Sequence, residues 1–304
     1  DLHSFPTRRS SDLAIHTYLD AVVQKSRKWN EHRAFCDMVD RYNSAIPTVF
    51  IADRGYESYN NMAHVQLKGQ FFLFRIKDFN SHGILQGFDL ADKDIFDFPI
   101  SLSLTRKQNN TTKQLCKDRN LFRYIPPNSN FDFLPTKSIY SDPPSFFQLH
   151  FRIVRLEVVP GKFEVLISNL PADSFPPSKL KYLYSLRWGI ETSFRSLKYT
   201  IGLLYFHSKK PEHILQEIFA KLTMYNFTQL IAASISIRNA TRKLIYRINF
   251  SAAANVCRKF FLSFCTPNFV EAVIQKNTLP VRSLNGKPRL LKSKPAVSFL
   301  YRVA

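Results

Sequence analysis

The hydrophobic residues between positions 18 and 76 switch repeatedly between the two periods that a chain can bury. This pattern constrains the fold more than any other feature of the sequence. Residues 18–24 (YLDAVVQ) are rich in β-formers and predict a strand bounded by Lys25, Ser26 and Arg27. Over 31–42 the period becomes helical: Phe35, Met38, Val39 and Tyr42 share one face, and Asn30 is placed as an N-cap. Pro47 opens a second β run, Thr48-Val49-Phe50-Ile51-Ala52, which ends at Asp53-Arg54-Gly55-Tyr56. A polar helix is predicted over 58–68 and another strand over 71–76. This strand–helix–strand–helix–strand order predicts an α/β domain.

From 78 to 177 the character changes. Short β runs at 100–104, 147–159 and 163–168 are separated by polar and proline-rich stretches, with Pro160-Gly161 as a hairpin turn. The expectation is a β-rich insertion into the α/β domain, with a mobile loop near 109–117. Pro176-Pro177-Ser178 then opens a long helix, and Pro211 the next, running to about Ile237 with Ile214, Leu215, Ile218, Leu222 and Tyr225 as core. Smaller helices are predicted over 252–264 and 269–276, followed by a basic tail from Asn277. The segments expected are thus 14–77 and 178–240 as the core, 78–177 as the insertion and 241–304 as a helical and basic C-terminal region.

On the long helix, Tyr184, Arg187, Glu191 and Lys198 fall within roughly 60° of one another at the α-helical period. A second, apolar stripe runs beside them through Leu183, Leu186, Ile190, Phe194 and Leu197. One face can therefore be buried while the next presents an acid flanked by two cations and a phenol. Alone, Glu191 fits an i,i+4 ion pair with Arg187, worth only about 0.2–0.5 kcal/mol. Alone, Asp53 fits an ordinary turn after a strand. Together they match the carboxylates that nucleotidyl transfer uses to hold two divalent cations about 3.5–4 Å apart. Such hard ions prefer oxygen ligands and phosphate, which gives Arg187 and Lys198 a reason to share the stripe.

Charge narrows the partners. Lys and Arg exceed Asp and Glu by 43 − 23 = 20, so a polyanion is expected. The basic residues are dispersed, and no apolar run is long enough to span a bilayer, which disfavours a membrane. Cys36, Cys116, Cys257 and Cys265 show no metal-ligand or paired spacing. Residues 3–13 (HSFPTRRSSDL) look like a translated sequencing adapter, so 1–13 are set aside as non-native and the native protein is expected to begin upstream of Ala14.

With those residues in view, the sequence resembles the insertion-sequence DDE transposases that carry a Y-x2-R-x3-E-x6-K signature. The segment IADRGY is similar to the stretch around that family's second catalytic Asp. WNEHRAF, FHSKKPEHILQEIFA and KPAVSFLYR extend the resemblance over roughly 14–304. It implies an RNase H-like mixed sheet with flanking helices, interrupted by the β-rich insertion. It also implies Asp53 as the second metal-ligand carboxylate and Glu191 as the third, with two Mg²⁺ ions (Mn²⁺ as substitute). Tyr184, Arg187 and Lys198 would contact phosphates at the transposon end, and Lys209, Lys210 and the basic tail would meet the DNA backbone. Water would nick the element's end and the freed 3′-OH would attack target DNA, with two protomers on two ends, on the nucleoid in a bacterial cytoplasm. Two departures stand out. The first two core strands and their catalytic Asp are expected to be missing, Asp20 being a poor substitute, which predicts an inactive chain. The insertion also has no Trp, leaving hairpin and non-hairpin excision both open. The rival expectations are a non-catalytic DNA-binding remnant and an RNase H-like nuclease without strand transfer.

Overall fold

The computed structural model describes residues 11–12, 16–24, 29–90, 94–134, 144–237, 244–281 and 300–301. Most of the adapter-like stretch, the boundary at Lys25, Ser26 and Arg27, and nearly all of the basic tail with KPAVSFLYR lie outside the described residues. In chain order the elements are β1 (Ser11–Asp12), β2 (Thr17–Tyr18), α1 (Glu31–Arg41), β3 (Val49–Ala52), α2 (Tyr59–Leu67), β4 (Phe71–Ile76), β5 (Phe96–Thr105), α3 (Asn110–Leu115), β6 (Phe122–Tyr124), β7 (Phe147–Val159) and β8 (Lys162–Ser168). There follow α4 (Pro177–Ser185), α5 (Trp188–Arg195), a π-helical turn (Ser196–Ile201), β9 (Tyr205–Phe206), α6 (Pro211–Ser234), β10 (Tyr246–Ile248), α7 (Phe250–Phe261), α8 (Pro267–Lys276), β11 (Thr278–Pro280) and β12 (Leu300–Tyr301). They divide into two compact units, one of Trp29–Arg187 and one of Asp1–Lys28 with Trp188–Ala304.

The first unit is built on a mixed six-stranded sheet in the order β3-β4-β8-β7-β5-β6. The β3–β4 and β5–β6 pairs are parallel and the others antiparallel. The sheet is therefore continuous across position 78: β5, β7 and β8 extend the surface begun by β3 and β4. Alternation along β4 sends Phe72, Phe74 and Ile76 to one face and Leu73 to the other. The first face is covered by Phe35, Cys36 and Val39 of α1 and Met62, Ala63 and Val65 of α2. The second is covered by Leu180 and Tyr184 of α4. Helices on both faces bury both sides of the sheet. The predicted hairpin turn forms between β7 and β8, where Gly161 takes a φ of +74° that favours glycine.

The second unit packs Tyr18, Ile190, Phe194, Leu197, Ile218, Leu222 and Tyr225 in one core cluster, and α7 and α8 in another. Proline opens α6, as the sequence predicts. Of its predicted core residues, Ile218, Leu222 and Tyr225 are buried, Ile214 is half-buried and Leu215 is exposed.

Three expectations need correction. Residues 18–24 do not form a strand: pairing stops at Tyr18, and 19–24 are irregular. The amide of Asn226 replaces a neighbouring strand, its Oδ1 accepting from Tyr18 N at 2.7 Å and its Nδ2 donating to Tyr18 O at 2.7 Å. The segment near 109–117 is not a loop throughout. Asn109 accepts from Thr112 N at 2.7 Å and caps the short helix α3. The polar helix expected over 58–68 forms as α2, and its Asn60, Asn61 and His64 find side-chain or backbone partners inside the unit.

The third concerns the long helix, which is broken. Leu186 N and Arg187 N bond to Leu183 O and Tyr184 O, a tightened i→i−3 turn that ends α4. Gly189 follows at the start of α5, where a Cβ would lie 2.7 Å from the His16 ring. From Ser196 the helix is π-wound, and it ends at Gly202 with φ +90°. The stripe is reckoned on one continuous straight helix, and residues 177–201 do not form one. Tyr184 and Arg187 belong to the first unit, Glu191 and Lys198 to the second. The apolar stripe divides likewise, Leu183 packing in one core and Ile190, Phe194 and Leu197 in another.

Replacing Asn226 with Ala should remove both bonds to Tyr18 and destabilise the second unit by about 1–3 kcal/mol. Urea unfolding checks this, and a loss well under that range would mean that Asn226 does not anchor this segment.

Candidate functional site

Asp53 follows β3 directly and caps a single 3₁₀ turn, Arg54–Tyr56. Its Oδ1 accepts from Gly55 N at 3.1 Å, and its carbonyl accepts from Tyr56 N at 3.1 Å. A Cβ on Gly55 would sit 3.2 Å from that Oδ1, so glycine leaves room for the carboxylate to fold over the turn. The far end of the turn is fastened to both covering helices. The Tyr56 hydroxyl donates to Glu31 Oε2 of α1 at 2.7 Å, and its carbonyl accepts from Asn61 Nδ2 of α2 at 2.9 Å. The Tyr56 ring packs at 6.3 Å from Phe35 and 6.0 Å from His32. Asp53 is thus half-buried on a strand end whose turn is tied at three points.

Tyr184 is buried against Leu180, Leu166 and Val154, and the Arg187 guanidinium stands 5.6 Å from its ring centroid. Burial pushes the phenol up; the Arg187 and Arg75 charges work against that, and Glu164 adds to it. In the second unit, Glu191 is exposed in the first turn of α5, and Lys198 is half-buried in the π-helical turn. Lys209 and Lys210 are exposed, Lys210 standing at the N-cap of α6. The segment before them is held by Glu217. This carboxylate accepts from His207 N at 2.9 Å and Ser208 N at 3.0 Å, and from Lys221 Nζ at 3.3 Å. Burial pushes Glu217 up, but these bonds outweigh it and bring its carboxyl down to about 2. Asp20 sits in the irregular segment, its Oδ1 accepting from Ala21 N at 2.7 Å.

Sequence reasoning missed the ties around Asp53. Tyr56 was visible as part of the DRGY run, but nothing in the spacing pointed to Glu31 or Asn61. It also missed a buried polar group beside them: His64 reaches Asp40 Oδ1 at 2.7 Å and Asp132 Oδ2 at 3.0 Å.

Asp53 and Glu191 offer the hard oxygen donors that Mg²⁺ or Mn²⁺ prefers. Among the described residues, however, no three His, Cys, Asp or Glu side chains cluster to hold an ion. The donors fit such a metal in kind.

A mixed sheet covered by helices on both faces, with one acid at a strand end and another on a later helix, is the architecture of an RNase H-like nucleotidyl-transfer domain. The family model described as the transposase DDE domain matches residues 12–227, more than half of the chain, and the chain belongs to that family. It is also similar to the transposase InsG for insertion sequence element IS4 of Escherichia coli (strain K12). The two are 27% identical over 144 residues, covering 43% of this chain and 32% of that protein, so the chain spans about a third of its relative. Among the described residues, no helix is long and apolar enough to cross a membrane.

Tyr56→Phe should cost about 1.5–3 kcal/mol, the range for a hydrogen bond to a charged group. It should also speed hydrogen exchange at the Gly55 amide. Unchanged exchange there would show that the phenol does not hold the turn. Glu217→Gln should destabilise the chain at neutral pH. A carboxyl lowered from 4.5 to about 2 stabilises the fold above pH 4.5, and that contribution is lost as pH falls through 2. The gap between variant and parent should therefore close between those values, and a gap independent of pH would contradict the charge-based account.

Proposed function

We propose that this chain serves DNA transposition, with Asp53 and Glu191 as two of the metal-ligand carboxylates of a cut-and-paste DDE transposase. The observation that carries this is the DRGY turn. It places Asp53 at a strand end and ties it to two helices, within a chain that belongs to the DDE family. A carboxylate meant to hold an ion must be fixed before the ion arrives. Domains of this family depend on Mg²⁺ or Mn²⁺, which would activate the attacking oxygen and stabilise the leaving one.

The chain's own groups then bind and orient DNA. Lys209 and Lys210 stand exposed where the positive end of the α6 dipole adds to their charge, a placement suited to backbone phosphate. Arg187 and Lys198 position phosphate near the reacting bond. Tyr184, being buried, supports Arg187 through its ring. Two protomers on two transposon ends, acting on the nucleoid of a bacterial cytoplasm, complete the proposal.

A second reading of this 304-residue polypeptide is a DNA-binding protein that does not cut. It should retard duplex DNA, with affinity falling steeply as salt rises. Replacing Lys209 and Lys210 together with Ala should make the log–log salt slope shallower by about 2. It should not nick supercoiled DNA with Mg²⁺ or Mn²⁺. Nicking that disappears in Asp53→Ala would show the site to be complete, and binding insensitive to salt would remove the DNA proposal. A joined strand product separates transposition from plain hydrolysis.

A further inference from the structure

Several arginines of the first unit are locked into the fold. Arg106 donates to the carbonyls of Pro126, Ser129, Phe131 and Leu134. Arg152 bonds Asp97 and the Phe175 carbonyl, and Arg155 bonds Asp78 and Asp94. A guanidinium carries five N–H donors, and each of these side chains spends several of them on fixed acceptors.

Arg75 is different. Half-buried on β4, its guanidinium meets one oxygen among the described residues: Glu164 Oε1 of β8, 3.1 Å from Nη1. Glu164 is half-buried as well. A single contact neutralises the charge but leaves most of the guanidinium's donors to solvent or to a ligand.

The place of this pair in the sheet gives it meaning. β3 and β4 run parallel and Ala52 pairs with Phe74, so Arg75 follows at the same sheet end as Asp53. Alternation puts Arg75 on the Leu73 face, the one that α4 covers. The Arg75 and Glu164 charges both act on the buried Tyr184 phenol of α4, and the Arg187 guanidinium stands 5.6 Å from the centroid of the same ring. Two guanidiniums thus flank one tyrosine at the end of the sheet where Asp53 emerges, and Glu164 is set against one of them. A partly desolvated guanidinium needs a counter-charge. One carboxylate oxygen meets that need loosely, whereas a phosphate can meet it with two parallel bonds.

We propose that Arg75 positions a DNA backbone phosphate at the Asp53 end of the sheet and that Glu164 is its built-in competitor. In the DNA-free chain Glu164 holds the guanidinium. A seated phosphate takes Arg75 over, and the released carboxylate turns to water. The contact is therefore autoinhibitory: it keeps the guanidinium neutralised until DNA reaches it, and it lowers the affinity by the cost of its own displacement. The inference rests on the reading that the chain binds DNA.

The test is a double-mutant cycle on the 304-residue protein, with Arg75→Gln, Glu164→Gln and both together, read as affinity for a fluorescent duplex over a range of salt. Arg75→Gln should weaken binding about tenfold and make the log–log salt slope shallower by about 1. Glu164→Gln should tighten binding about threefold, and in the Arg75→Gln background it should change nothing, because the competitor has lost its object. Thermal melts report whether each variant folds; if Arg75→Gln does not, Arg75→Met, of similar length and no charge, takes its place. An equal gain from Glu164→Gln in both backgrounds would show plain repulsion of DNA by an acid and overturns the proposal. Affinity unchanged in the folded Arg75 variant also overturns it, and leaves the DNA reading standing as long as the parent binds duplex. A parent protein that binds no duplex removes the DNA reading, and this proposal with it.

Discussion

The parallel pairing of β3 with β4 is the contact on which the placement of Asp53 depends. β3 has only four residues and, among the described residues, lies at the edge of the sheet, so one neighbouring strand and the helical cover on its two faces must hold it. Val49, Phe50, Ile51 and Ala52 align with Phe71, Phe72, Leu73 and Phe74, and Phe50 packs edge-on against Phe35 of α1. That register sets where the strand ends and therefore where the acid emerges. The Tyr56 bonds to α1 and α2 complete the constraint by tying the following turn to the helices that bury the sheet.

The core was legible where burial follows a simple period. α1, β3, β4, β7 and the β7–β8 turn were readable because apolar residues recur at intervals of two or 3.6, with Asn30 and Pro160-Gly161 marking ends. The readings failed where polar groups decide the backbone. Residues 18–24 have strand composition, yet Asn226, more than two hundred positions away, supplies the bonds that a strand would have needed. α2 was readable as a polar helix, but the partners that draw Asn60, Asn61 and His64 inside are ones that no local pattern reveals.

Of the candidate site, the residue types were readable and the single straight helix beneath them was not. Asp53 and Glu191 are proposed from residue type and neighbouring text. Their stripe companions were placed by assuming one straight helix. The tightened turn at Leu186 and Arg187, with Gly189 behind it, breaks that assumption, and the π-wound turn at Ser196–Ile201 alters the angular position of Lys198. A π turn widens the helix and is often found where function requires a side chain to be re-aimed. The break also means that the acid on α5 and the phenol on α4 are supported by different cores, so their substitutions should report on different units.

The central claim is that Asp53 and Glu191 each hold a divalent cation. The most direct measurement replaces Mg²⁺ with Fe²⁺ in the DNA-bound protein and maps where locally generated hydroxyl radicals cut the polypeptide. The account predicts cuts near residues 53 and 191, the first lost in Asp53→Ala and the second in Glu191→Ala. Cuts confined to other regions, or cuts near 53 and 191 that persist in both variants, would contradict it.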